Sequence, residues 1–280
     1  MRCETVSLRE HYPFLGTDGC DARLELYLPF NMTEMHREHQ KRPTLLICPG
    51  GGYGMCSQRE AEPIALRYLA DGYNVFVLWY SVAPHRFPQQ LLEVAAAVEL
   101  IHANAECWNC DEAHLAILGF SAGAHLAAHY SNRFDCPEVR AHFPQSKPVQ
   151  ASILCYPVIS ARRETAHMGS FENLLGHAPA TEEETERFSC DCMVHDSTPP
   201  AFLWHTAEDN AVPVRNSLLY ASALAAHGIP FELHIYPYGY HGMSTCDRST
   251  LDGEITRGMA HAQSWLAESR KWLKLLWNLE

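Results

Sequence analysis

The sequence predicts an α/β fold with a mostly parallel, eight-stranded sheet, helices on both faces and a small cap segment. Three observations lead there. Short apolar runs alternate with helix-patterned segments along most of the chain, the order of a parallel sheet built with crossover helices. Two stretches of period-two alternation precede them, as antiparallel strands do. One segment, 160–197, breaks the alternation. A length of 280 residues suits one α/β domain. Residues 1–280 are therefore read as a single domain carrying 160–197 as a cap-like insertion.

The elements follow in order. Residues 4–9 (ETVSLR) and 22–29 (ARLELYLP) read as the leading strands, and the polar stretch 31–42 as a loop. TLLIC, from Thr44, is a run apolar enough to be buried on both faces. A helical pattern covers 58–70, with Pro63 in its first turn or bending it, and Asp71-Gly72 stops it. Residues 73–80 (YNVFVLWY) form the next buried strand, and 89–104, after Pro88, an amphipathic helix. Strand 113–120 (AHLAILGF) runs directly into helix 121–130 (SAGAHLAAHY). Strands at 150–159, 200–206 and 231–236 follow, with a helix at 214–227 closed by Gly228 and a long amphipathic helix from about 257 to 276. Within 160–197, FENLLG and the acidic TEEETERF carry short helical signals. The segment leaves one strand end and returns before the next strand. This places it over the carboxyl edge of the sheet, where open α/β sheets bind ligands.

Composition narrows the partners. Hydrophobic residues make up 47%, enough for a large core. The net charge of −12, from 33 acids against 21 Lys and Arg, disfavours nucleic acid and anionic membranes, which both need a cationic face. The expected partner is a small molecule, and self-association into a homo-oligomer is compatible with such a surface. MRCETVSLREHYPF lacks the apolar core of a signal peptide, and no run approaches the roughly 20 apolar residues of a membrane span. A cytoplasmic location is expected. The 11 cysteines are then expected as reduced thiols. Cys107/Cys110 and Cys190/Cys192 form two close pairs, but C-x-C is not the usual second half of a four-cysteine zinc site. No metal and no organic cofactor is expected.

The chemistry centres on GFSAGAH, 119–125. G-x-S-x-G alone is weak, and a serine between glycines is more often just a turn. Here Ser121 stands between a strand and a helix, as a nucleophile elbow requires. Gly119 and Gly123 remove side chains that would collide across the turn. A serine needs a base, and the base needs an orienting carboxylate. Asp209 (HTAEDNAVP) and His241 (YGYHGMS) each follow a strand, in the order Ser, acid, His. With 17 histidines, chance matches must be weighed. His125 and His129 lie one turn apart but lack the Glu of H-E-x-x-H, and His125 reads as a packed helix residue. His205 and His234 fall within strands. Glu208 is the runner-up acid, while Asp247 and Asp252 follow His241, in the wrong order. An oxyanion needs backbone N–H donors. Pro49-Gly50-Gly51-Gly52-Tyr53 follows a strand and can supply Gly51 and Gly52, with Ala122 as the donor after the serine. The glycine run matches neither G-x-G-x-x-G nor a P-loop. Tyr53 and Tyr80 are candidates for lining the substrate pocket, with core packing equally open.

These stretches resemble α/β-hydrolase fold serine esterases, nearest the bacterial acetyl-xylan or feruloyl esterase-like group related to hormone-sensitive-lipase-type esterases. The resemblance is carried by CPGGGYGMCSQREAEPIA, DGYNVFVLWYSVAP, ILGFSAGAHLAAH, TPPAFLWHTAEDNAVPVRNSLLYASAL and YPYGYHGMS. It implies Ser121 as nucleophile, Asp209 as acid, His241 as base, and an oxyanion hole from Gly51, Gly52 and Ala122. Pro49 departs from the histidine that usually opens the oxyanion motif of the lipase-type relatives, which changes what braces the loop. The implied activity is hydrolysis of short acyl esters, acetyl above all, of a carbohydrate such as a xylo-oligosaccharide. A serine aminopeptidase or arylformamidase on the same fold, or a non-catalytic binding member, are the rival readings.

Overall fold

The computed structural model describes residues 1–16, 19, 21–251 and 253–279; Asp252, weighed above as an acid, lies outside them. The strands are β1 (Arg2–Ser7), β2 (Arg23–Leu28), β3 (Arg42–Cys48), β4 (Asn74–Trp79), β5 (Cys110–Phe120), β6 (Ala151–Cys155), β7 (Ala201–Thr206) and β8 (Phe231–Tyr236). They form one sheet of 8 strands in the order β1-β2-β4-β3-β5-β6-β7-β8. The first two pairings are antiparallel, β1 to β2 and β2 to β4. Every later pairing is parallel. The six parallel strands therefore end on one edge.

The helices among the described residues are α1 (Leu8–His11), α2 (Glu62–Leu69), α3 (Gln89–Ala103), α4 (Ala122–Arg133), α5 (Pro137–Arg140), α6 (Met168–Leu175), α7 (Glu182–Arg187), α8 (Arg215–Ala226), α9 (Arg257–Ala262) and α10 (Trp265–Trp277). One face of the sheet packs against α3, α4 and α8, through Val94, Val98, Leu126 and Leu224. The other packs against α2, α9 and α10, through Ile64, Tyr68, Met259, Trp265 and Leu273. Both faces being covered explains why β3, β4 and β6 read as largely apolar runs.

Several boundaries differ from the sequence expectation, each for a tertiary reason. The helix expected over 58–70 is a separate 3-10 turn, Gln58–Glu60, followed by α2 with Pro63 in its first turn. The strand expected over 150–159 stops at Cys155, because Tyr156 turns the chain with φ 36. The single C-terminal helix is two. Ser264 N–H bonds back three residues to His261, and Trp265 drops into the core, where its indole N–H reaches the Ser244 carbonyl at 2.9 Å and its ring stacks on Trp204. The short helices α1 and α5 carry no periodic signal long enough to read. In the insertion, Thr181 caps α7 by accepting from Glu184 N–H at 3.1 Å, and α6 docks on the glycine loop through Asn173, which donates to the Gly52 carbonyl at 2.9 Å.

The turn from β5 into α4 is the tightest part of the fold. A Cβ on Gly119 would lie 2.3 Å from the Gly123 carbonyl oxygen, and one on Gly123 would lie 2.2 Å from that of Cys48. Backbone cannot yield as a flexible side chain can. Gly123→Ala is therefore expected to destabilise the protein by about 3 kcal/mol, lowering Tm by roughly 10 °C. Thermal melts followed by circular dichroism check this, and a loss below about 1 kcal/mol would mean that the helix backs away from β3 without cost.

Candidate active site

The loops that follow β3, β5, β6, β7 and β8 meet at the carboxyl edge of the sheet. Ser121 occupies the β5–α4 turn with φ 51 and ψ −117. This left-handed conformation is costly for a non-glycine residue, and the surroundings hold it in place. Its N–H donates to the Cys155 carbonyl at 3.0 Å, and its carbonyl accepts from Val158, Ala124 and His125 N–H groups. The hydroxyl is thereby left standing at the strand end.

His241, in the loop after β8, lies with Nε2 2.8 Å from Ser121 Oγ. Its Nδ1 lies 2.6 Å from Asp209 Oδ2. A carboxylate only accepts, so Nδ1 carries the hydrogen and Nε2 is free to accept from the serine hydroxyl. Asp209 follows β7 and its side chain is buried. Its Oδ1 accepts from Ala211 and Val212 N–H at 3.0 and 2.8 Å. Burial opposes its charge, but hydrogen bonds from His205 and His241 outweigh it and hold the carboxyl well below the usual range. Glu208, the alternative acid, is exposed and accepts from Gly239 N–H at 3.4 Å. Asp247 pairs with Arg67 at 2.7 Å, apart from this line.

His205 contributes where strand position suggested nothing more than packing. Its Nε2 is 2.9 Å from the Val212 carbonyl and 3.2 Å from Asp209 Oδ2. Facing two acceptors, Nε2 carries hydrogen, and Nδ1 accepts from Ser217 Oγ at 2.8 Å. No pattern in PAFLWHT separates such a residue from a core histidine. His125 packs beneath the elbow as expected. Its Nε2 donates to the Phe188 carbonyl at 2.9 Å and its Nδ1 accepts from Tyr53 at 2.8 Å. Burial lowers its pKa to about 4, so it stays neutral near pH 7 and is no second base. His129 is buried against Phe87, and His234 pairs with Glu232 on the surface of β8.

The glycine loop has the conformation its residues allow, with φ +129 at Gly51 and +63 at Gly52. Among the described residues, the N–H groups of Gly51, Gly52 and Ala122 have no protein acceptor, whereas that of Gly50 is taken by Glu60. Tyr53 and Tyr80 require a correction as pocket-lining residues. Both are buried, at 1% and 3% exposure. Tyr80 donates to the Pro49 carbonyl at 2.6 Å, and Tyr53 is held by His125. They brace the loop from beneath. From the insertion, His167 lies beside Gly52 with its Nδ1 2.8 Å from Ser170 Oγ, and burial and the nearby His241 lower its pKa. Among the described residues, no group of three or more His, Cys, Asp or Glu side chains could hold a metal ion, and no helix is long and apolar enough to cross a membrane.

Known proteins share this arrangement of chain. The sequence is 38% identical over 237 residues to an endo-1,4-beta-xylanase B of Butyrivibrio fibrisolvens, covering 81% of this chain and 36% of the xylanase. It is 33% identical over 236 residues to an acetylxylan esterase of Xylanibacter ruminicola, covering 81% of this chain and 45% of that protein. The chain thus spans less than half the length of these curated relatives. The crystal structure of an acetyl ester-xyloside bifunctional hydrolase from Caldicellulosiruptor lactoaceticus superposes with a TM-score of 0.85 at 34% identity, over 98% of this chain and 97% of that one. These matches carry the α/β-hydrolase fold. With residues 24–224 matching its family model, the chain belongs to the BD-FAE family.

Proposed function

We propose that this chain is a serine carboxylesterase that removes acetyl or other short acyl groups from a carbohydrate such as a xylo-oligosaccharide. The observation that carries the reading is the unbroken line from Asp209 through His241 to Ser121, with contacts of 2.6 and 2.8 Å. Ser121 Oγ attacks the ester carbonyl as His241 Nε2 takes its proton. Asp209 holds the imidazole in the competent tautomer and stabilises the imidazolium. The carbonyl oxygen becomes an oxyanion and turns to the N–H groups of Gly51, Gly52 and Ala122. His241 then protonates the departing sugar oxygen, leaving Ser121 acylated. Water, deprotonated by His241, attacks the acyl-enzyme, and the same proton returns to Ser121 as the carboxylic acid leaves.

The substrate class rests on the acetylxylan esterase relative and on the acetyl ester-xyloside hydrolase structure. The insertion 160–197 is the part of the chain placed to select the leaving sugar, because Asn173 and His167 meet the glycine loop at Gly52. The test pairs a fluorophosphonate probe with a substrate panel of acetylated xylo-oligosaccharides, p-nitrophenyl esters from acetyl to octanoyl, and aminoacyl amides. Labelling of Ser121 with fastest turnover on acetyl esters is expected. An unlabelled Ser121 would sink the serine mechanism, and turnover confined to aminoacyl amides would replace esterase with amidase.

A further inference from the structure

Glu60 was not singled out by its sequence. It sits in SQREAEP beside Gln58 and Arg59, which are exposed, and a glutamate there is expected in water. It is instead 3% exposed. A buried carboxylate is costly unless donors meet it, and here both oxygens are met. Oε2 accepts from Gly50 N–H at 2.8 Å, and Oε1 accepts from the Tyr156 hydroxyl at 2.6 Å. The Tyr156 oxygen in turn accepts from Ser244 N–H at 3.0 Å. Ser244 Oγ donates to the Arg59 carbonyl at 2.5 Å, which closes the circuit beside Glu60.

This circuit joins three loops that carry the proposed site. Gly50 precedes Gly51 and Gly52. A Cβ placed on Gly50 would lie 2.7 Å from Glu60 Oε2 and 3.1 Å from Ser121 Cβ, so no side chain separates the carboxylate, this peptide and the nucleophile. Tyr156 sets its ring across that of His241, with centroids 5.0 Å apart at 71°. Ser244 lies in the His241 loop. Tyr156 and Ser244 both take positive φ, 36 and 50, conformations that persist in non-glycine residues only when their surroundings over-determine them. By holding the Gly50 N–H, Glu60 turns that amide toward the core and away from the donors offered to an oxyanion.

We infer that Glu60 and Tyr156 are positioning residues, a buried clamp that sets the glycine loop and the His241 loop at their working separation around Ser121. The inference rests on the Ser121 esterase reading above and gives two further residues to that site. Burial pushes the Glu60 carboxyl up, and the bonds from Tyr156 and Gly50 offset only part of that shift.

The test is steady-state kinetics of Glu60→Gln and Tyr156→Phe on p-nitrophenyl acetate, with active sites titrated by a fluorophosphonate and folding checked by circular dichroism. Each variant unpairs part of the circuit. In Glu60→Gln the amide oxygen keeps Gly50 N–H and the NH2 can only donate to the Tyr156 oxygen, which leaves the Tyr156 hydroxyl hydrogen without its acceptor. Tyr156→Phe leaves Ser244 N–H and Glu60 Oε1 unpaired. Both are expected to lose about 10- to 100-fold in kcat with KM within about 2-fold, because loosened oxyanion donors act in the transition state rather than in substrate binding. A kcat at the wild-type level in the folded fraction, whatever the loss in Tm, would overturn the clamp and leave a purely structural network. Should Glu60→Gln fail to fold, Tyr156→Phe, which removes a single oxygen atom, decides alone. A wild-type protein that neither labels nor turns over would overturn the esterase reading and the clamp with it, an outcome distinct from active variants.

Discussion

Ser121→Ala is expected to lower kcat/KM on p-nitrophenyl acetate by a factor on the order of 10^4 or more. The only hydrogen bond of the hydroxyl among the described residues is with His241 Nε2, so its loss removes the nucleophile and disturbs little else. The strained turn is held by backbone bonds to Cys155 and Val158, which alanine keeps, and alanine bears the same φ of 51 no worse than serine. Melting is therefore expected to change by less than about 2 °C, which separates loss of chemistry from loss of fold. Residual hydrolysis should remain, because oxyanion donors act on water attack as well. Adding His241→Ala to Ser121→Ala should cost almost nothing further, since members of one proton-transfer line fail together. Activity within about 10-fold of wild type would move the reaction away from Ser121.

The fold was legible where burial dictates composition. Strands covered on both faces must be apolar throughout, and Leu45, Leu46 and Ile47 in β3 or Val75, Phe76 and Val77 in β4, all at 0% exposure, can be read directly as such. Boundaries were not legible where a distant contact decides them. The break between α9 and α10 depends on Trp265 reaching the Ser244 carbonyl, a partner 21 residues back in the chain. Amphipathic periodicity runs straight through that break, because both helices bury the same face.

The candidate site divides in the same way. Ser121, Asp209 and His241 could be found because each must follow a strand end, and strand ends show in sequence. The groups that hold them could not. His205, Glu60 and Tyr156 take part through bonds to Asp209, Gly50 and Ser244, and a residue's partners across the sheet edge leave no local pattern. Tyr53 and Tyr80 show the converse. Tyr53 follows Gly52 in the chain, yet its side chain turns inward to His125, as that of Tyr80 turns to the Pro49 carbonyl. Proximity in sequence says little about which side of a loop a ring occupies.

Asp209→Asn is the change that separates charge from shape, and a loss of about 10^4-fold in kcat is expected from it. Asp209 Oδ1 faces two N–H donors, of Ala211 and Val212. The asparagine oxygen must stay with them, so its NH2 takes the Oδ2 position, 2.6 Å from His241 Nδ1. Two donors cannot face each other there. His241 then loses hydrogen from Nδ1 and carries it on Nε2, pointing a donor at Ser121 where an acceptor is needed. The same NH2 meets His205 Nε2, which also approaches the Val212 carbonyl, so that hydrogen has no better place to go, and stability should fall by about 1–3 kcal/mol. Acidification adds a second signature. A carboxyl depressed in the folded state contributes stability in full above about pH 4 and loses it as pH falls further; Asp209→Asn should flatten that part of the stability profile. Glu208→Gln, one residue away and exposed, should leave kcat within about 2-fold, and a large loss there with little at Asp209 would reverse the choice of acid.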